Sequence, residues 1–339
     1  MKKRVRLFFI CCMLWVCYSC TSVIPLQLDI VRPARVSYSM HYPPLAVLCN
    51  SHEPNVSEYS RYIDANGNQY RMDFAGDSIP GFFTMSLASR LYESAYFDSI
   101  WTLFPDSTAI TGLAGLPISE VMAWRDENPN TVLLSIDDIR PAAQFTVEPY
   151  EGVFGVGLEI ASSATMRCYI PGTSPVTETV VDTAVWYAYG MTPEEARVQI
   201  PAFEVCLEEA LSSLSLHAAE RFVPHIQQVE RYIFVTSHPA MSDAYKYWKN
   251  AQYTEASYLW EYVYEKAKSV GRRARAAADL ALYYELQDDY ATALTYARAA
   301  YSLFVENRDT AEAEYAHYYA ADLETRLADA LLLDTQWGE

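Results

Sequence analysis

The spacing of hydrophobic positions changes several times along this chain, and each change predicts a different kind of element. The opening is apolar without periodicity: Lys2, Lys3, Arg4 and Arg6 precede an almost wholly apolar run from Leu7 to Val16, and Ser19 stands before Cys20. The run is too short to span a bilayer as a helix, and a basic start, an apolar stretch and a small residue form the pattern of a secretory leader. With Cys20 next, residues 1–19 read as a lipoprotein signal peptide. Acyl chains on the Cys20 sulfur would hold the rest of the chain at a membrane. One position departs from the pattern, since Cys17 stands where such leaders usually carry leucine.

Residues 20–33 read as a tether. Strand-like segments follow over 34–40 and 45–49, and a hairpin is predicted over 61–74 around Asn66-Gly67. Asp64, Asn66 and Asn68 lack the glycine placement and the bidentate glutamate of a calcium loop. From Gly81 the period becomes helical, with Phe83, Leu87, Leu91 and Ala95 recurring every four residues on one face. A strand over 97–104, a helix over 117–127 and a buried strand over 131–136 come next. Two long strands, 153–170 and 176–189, are joined through Pro171-Gly172-Thr173-Ser174-Pro175. Thr192-Pro193-Glu194-Glu195 is a capping box with proline at the first helical position. A helix over 202–223 then ends at Pro224. This order describes a mixed sheet with packed helices over 34–236.

Residues 237–335 have only helical periodicity, and they repeat. Tyr253 and Tyr290 stand 37 residues apart, each followed three positions later by alanine, Ala256 and Ala293. With Leu280, Ala281, Tyr284, Ala297 and Ala300, these are the small and large positions of a tetratricopeptide repeat, which the segment resembles. Two helical hairpins bury too little alone, so Thr310 to Leu333, with Tyr315, Tyr319, Leu323 and Leu327 on one stripe, is expected to cap them. The whole is an α+β chain: a mixed sheet with helices, then a helical hairpin array.

Composition narrows the function classes. The formal charge is −18, and loss of the leader makes it more negative by four. Such a surface disfavours nucleic acid and anionic headgroups. Cys49, Cys168 and Cys206 remain after the leader and Cys20, with no Cys-x-x-Cys spacing; buried packing is the preferred reading and a Cys168–Cys206 disulfide the alternative. The six histidines show no metal-binding spacing. Gly152, Gly155 and Gly157 lie in a strand, without the helix start that phosphate binding requires, and read as bulge or packing glycines. No cofactor and no enzymatic activity are expected.

The segment Leu216-His217-Ala218-Ala219-Glu220-Arg221-Phe222-Val223-Pro224-His225 with Val229-Glu230-Arg231-Tyr232, followed by Trp248 to Phe304, resembles a functionally uncharacterised family of Gram-negative envelope lipoproteins ending in tetratricopeptide repeats. The resemblance implies an architecture and no activity. The element order of residues 44–222 is also similar to the lipoprotein domains of the curli secretion pore and of penicillin-binding-protein activators. In tetratricopeptide repeats the inner face of each first helix holds the partner. That implies Tyr245, Trp248 and Lys249 in the first copy and Arg275, Leu282 and Glu285 in the second, with core packing as the alternative for Trp248 and Leu282. The expected function is a lipid-anchored scaffold that binds another envelope protein. Thr21 is not the aspartate that retains lipoproteins in the inner membrane, so the outer membrane, facing the periplasm, is the expected location. A glycan-binding lipoprotein is the competing reading, because 27 tyrosines and 7 tryptophans offer sugar platforms.

Overall fold

A computed structural model of the chain describes residues 22–38 and 40–337. The leader and the lipidation site expected at Cys20 lie outside the described residues. The chain is α+β and divides into two compact units. A sheet unit comprises Pro33–His225 with Gln336 and Trp337, and a helical unit comprises Ile226–Thr335 with the segment that ends at Arg32. The structure therefore differs from the expected boundaries at both ends. The tether expected over 20–33 is, over Ser22–Arg32, a strand (β1) of the helical unit. Its side chains alternate, with Ile24, Leu26, Leu28 and Ile30 more buried than their neighbours, which is the period of a strand and not of a linker.

The sheet unit is built on seven strands: β2 (Leu45–Cys49), β3 (Arg61–Ile63), β4 (Gln69–Arg71), β5 (Ile100–Leu103), β6 (Val132–Tyr150), β7 (Val153–Tyr169) and β8 (Val176–Gly190). β6 organises the rest. Its first half pairs parallel with β2 and its second half parallel with β3, while its other edge pairs antiparallel with β7 along its whole length. The sequence predicts only residues 131–136 of this strand, because the charged Asp137-Asp138 interrupts the apolar run. The register shifts between Ile136 and Asp138, so a bulge takes up Asp137 and the strand continues. Asp137 is 1% exposed. Ser135 Oγ and Asn50 Nδ2 donate to its Oδ1, at 2.5 and 2.9 Å, and Arg167 stands 3.4 Å from its Oδ2. Burial raises this carboxyl, against those hydrogen bonds and the arginine.

The strand expected over 34–40 is absent over its described residues; Arg35 and Val36 instead donate to the Arg221 carbonyl. A short helix α1 (Val56–Tyr59) precedes the hairpin, which forms as predicted, with Asp64 Oδ1 accepting from the amides of Asn66 and Asn68 and Gly67 in a left-handed conformation. α2 (Ile79–Glu93) lays Phe83, Leu87 and Leu91 against the sheet, but Ala95, at φ 53°, stands beyond its end. α3 (Ile118–Glu127) covers the other face through Val121, against Ala46, Leu133 and Tyr169. α4 (Pro193–Arg197) begins at the capping box, where Thr192 Oγ1 accepts from the Glu195 amide. α5 (Phe203–Ala219) packs Ala210 and Leu214 beside α2 over Leu158 and Ile160 of β7. Each fully buried large side chain contributes about 1.5–3 kcal/mol. Cys49, Cys168 and Cys206 are buried free thiols, and burial pushes Cys168 up to about 12.

In the helical unit, β1 pairs with β9 (His225–Val235) as a two-stranded ribbon. Cross-strand contacts run Gln27 to Glu230, Asp29 to Gln228 and Arg32 to Gln227, in opposite order along the two strands, as antiparallel pairing requires. Five helices follow: α6 (Pro239–Lys249), α7 (Tyr253–Lys266), α8 (Val270–Glu285), α9 (Tyr290–Asn307) and α10 (Thr310–Trp337). The repeat read from Tyr253 and Tyr290 is structural. Ala251 and Asp288 hold matching left-handed turns at φ 57° and 58°, and the next amides, Gln252 and Asp289, each donate 3.0 Å to the carbonyls of Tyr247 and Tyr284. Ala256 and Ala293 are fully buried where paired helices meet. Among the described residues no helix is long and apolar enough to cross a membrane.

Candidate functional site

The six residues expected to meet a partner fall in three different environments. Trp248, 8% exposed, packs against Trp260 and Tyr253 with ring centroids at 5.4 and 4.7 Å, and Leu282 is fully buried in the same cluster. Arg275 pairs with Asp309 at 3.2 Å and Glu312 at 3.0 Å. Glu285 is 2% exposed. Tyr245 is half-buried, with the exposed Lys249 Nζ 5.0 Å above its ring. Of the six, Lys249 is exposed and Tyr245 and Arg275 are partly so. The ribbon limits the exposure of the rest, because Ile233 of β9, with Leu26 and Leu28 of β1, packs into the cluster that holds Trp248 and Leu282.

Glu285 lies at the centre of a buried ionic network. Its two oxygens accept from Arg231 Nε and Nη2, both at 2.9 Å, and it also accepts from Tyr319 Oη at 2.6 Å and from Arg326. Arg231 reaches on to Asp322, Asp322 to Arg32, and Arg32 to Asp329 at 2.9 Å. The Arg231 guanidinium lies 4.5 Å from the Tyr319 ring and that of Arg326 4.4 Å from Tyr290, whose hydroxyl accepts from Arg326. Three arginines meet three carboxylates, so the charges balance. Burial alone would raise Glu285, but hydrogen bonds and charge from Arg231, Tyr319 and Arg326 outweigh it and hold the carboxyl below its usual range. The same contest, won by Arg32 and Arg231, lowers Asp322. The site ties β1, β9, α8, α9 and α10 together; its role is structural.

The repeat offset is what points Glu285 to a binding face in the sequence. Glu285 is the second-copy equivalent of Trp248, 37 residues on, and a tetratricopeptide pattern assigns both to the inner face. The missed signal is in the ribbon: Arg32 continues the alternation Ile24, Leu26, Leu28, Ile30, and Arg231 the alternation with Ile233 and Val235. An arginine at an inward strand position requires a buried anion.

Among the described residues, two clusters of exposed aromatic side chains bear on binding. In the helical unit, Tyr301, Val305 and Tyr318 are 39%, 53% and 64% exposed, and the His317 ring bridges the two tyrosines at 5.4 and 5.7 Å. In the sheet unit, Tyr150, Tyr187 and Tyr189 are each half or more exposed, with the Tyr189 centroid 4.9 Å from Tyr187 and 6.4 Å from Tyr150. Gly155 and Gly157, opposite Tyr189 and Tyr187 in register, floor this surface. A Cβ at Gly155 would stand 2.1 Å from Tyr187 Oη, so these are packing glycines that let the ring lie flat. Among the described residues no group of three or more His, Cys, Asp or Glu side chains converges to hold a metal ion.

A family described as Domain of unknown function (DUF8603) matches residues 45–234, more than half of the chain. The chain belongs to that family. A second one, Domain of unknown function (DUF6340), matches residues 242–325. The DUF8603 match takes in β9, which packs with the helical unit. No curated protein matches. Among solved structures, protein XCC0632 from Xanthomonas campestris, of the DUF330 family, shares 10% identity at a TM-score of 0.29, over 57% of this chain and 90% of that one. A putative neuraminyllactose-binding hemagglutinin homolog from Helicobacter pylori shares 13% at 0.28, over 55% and 88%.

Replacing Glu285 with glutamine leaves Arg231 and Arg326 short of an anion in the interior. The expected loss is about 3–5 kcal/mol of stability, measured by urea unfolding. A loss below about 1 kcal/mol, the scale of an exposed pair, would contradict this role.

Proposed function

We propose that this chain is a lipid-anchored, non-catalytic adaptor of the Gram-negative envelope, held through Cys20 at the outer membrane and facing the periplasm, whose tetratricopeptide-like helices dock another envelope protein. The order of basic residues, apolar run, Ser19 and Cys20 supports the anchor. The observation that supports docking is the Tyr301, Val305, His317 and Tyr318 surface of α9 and α10. Exposed aromatic side chains supply much of the binding energy in protein interfaces. The partner face in this reading is an outer one, because the ribbon occupies the face on which Trp248 and Leu282 lie. In intact cells, a photoreactive residue at position 305 is expected to give a discrete protein adduct. Tyr301→Ala with Tyr318→Ala should reduce its yield roughly tenfold, while stability changes by only about 0.5 kcal/mol, as exposed substitutions do. An undiminished adduct would exclude this face.

The Tyr150, Tyr187 and Tyr189 surface favours a second reading, a glycan-binding lipoprotein. Tyrosine offers an apolar face for the C–H groups of a sugar ring and a hydroxyl for its oxygens. Burial, with Tyr189 and Glu148 nearby, raises the Tyr187 hydroxyl, which keeps it protonated as a donor. Calorimetric titration with soluble oligosaccharides should give saturable binding that falls roughly tenfold, about 1.4 kcal/mol, in Tyr187→Ala. Gly155→Ala should match it, because the new methyl displaces the same ring. Equal affinities in parent and variants would exclude the platform.

A further inference from the structure

The sheet unit also holds a cleft of about 560 Å³, within the roughly 300–1,000 Å³ of small-molecule sites. Tyr62 of β3 and Phe145 of β6 stack at 5.6 Å with 22° between their planes, making a flat wall. Leu158 of β7 and Ile200 are buried beneath, and Phe203 opens α5 opposite. Three charged side chains reach the cleft: Arg71 at the end of β4, and Glu194 and Arg197 on α4. All three are exposed and, among the described residues, none forms an ion pair; Arg197 is held 5.7 Å above the Phe145 ring. Two unpaired guanidiniums against one carboxylate make this a locally cationic rim on a chain of formal charge −18.

We propose that this cleft binds a single-chain carboxylate amphiphile, a fatty-acid-like anion, with its head on Arg71 and Arg197 and its chain along Tyr62, Phe145 and Leu158. Charge complementarity selects the head group, since guanidinium is the side chain best shaped for a carboxylate. The wall selects the body. Below the charged rim of Arg71, Glu194 and Arg197 the lining is apolar apart from the Tyr62 hydroxyl, so a sugar seated there would leave hydroxyl groups without partners. An acyl chain needs none, and each methylene it buries should tighten binding about threefold to fourfold.

The test uses the full chain in isolated membranes, irradiated with a diazirine-bearing dodecanoate. Adducts are expected in the peptides around Tyr62–Met72 and Glu194–Phe203, displaced by excess dodecanoate but not by dodecanol or dodecylamine. Arg71→Gln with Arg197→Gln should cut labelling at least about tenfold, because a charge-assisted hydrogen bond to the carboxylate is lost at each position. Glu194→Gln, which removes the opposing charge, should raise it. These side chains are exposed and form no ion pair among the described residues, so both variants are expected to unfold as the parent does. Adducts spread evenly over the chain, equal displacement by dodecylamine, or unchanged labelling in the arginine variant would overturn the proposal.

Discussion

A carboxylate taken out of water must be met by cations, and in the helical unit that need governs how the elements are arranged. Glu285 sits where the repeat puts a tryptophan in its first copy, and it is compatible with burial only because Arg231 and Arg326 converge on it. Arg231 is delivered by β9, and β9 by its pairing with β1. Burial works against the Arg231 charge, but Glu285 and Asp322 outweigh it and raise this guanidinium above its ordinary range. The network therefore fixes the ribbon against α8 and α10, and the ribbon closes the helix face that a tetratricopeptide array would leave open.

This constraint separates what was legible in the sequence from what was not. The hairpin repeat was legible because Tyr253 and Tyr290, with Ala256 and Ala293, are set by local close packing of paired helices. The long strands β7 and β8 are legible because each is rich in β-branched and aromatic residues and the two are separated by the turn Pro171-Gly172-Thr173-Ser174-Pro175. β6 is legible in the sequence only to Ile136, because Asp137 is a charge that makes sense only once Ser135, Asn50 and Arg167 surround it. β1 carried a clear alternation, but its partner lies some two hundred residues later. The binding assignment of Arg275, Leu282 and Glu285 followed from a pattern whose inner face has, in this chain, a resident ribbon.

These surfaces share one construction, an exposed side chain held in place by a group beneath or beside it. Tyr187 lies on Gly155 and Gly157, Tyr301 and Tyr318 flank His317, and Arg197 lies over Phe145. Such pre-placed groups lose little conformational freedom when a partner arrives, which is where binding sites gain over ordinary surface. Membership of DUF8603 assigns no ligand, so the adaptor, glycan and carboxylate readings stand on these residues.

The most direct test of the central claim is the carbon-13 shift of the Glu285 side-chain carboxyl followed as pH falls. A carboxyl held below its ordinary value stabilises the fold above the unfolded-state pKa, and that stability is lost as pH falls through the folded-state value. The network predicts that Glu285 remains ionised below 4.5, its ordinary value, and that the helical unit loses stability as it protonates. A midpoint at or above that value would show that burial prevails over the arginines.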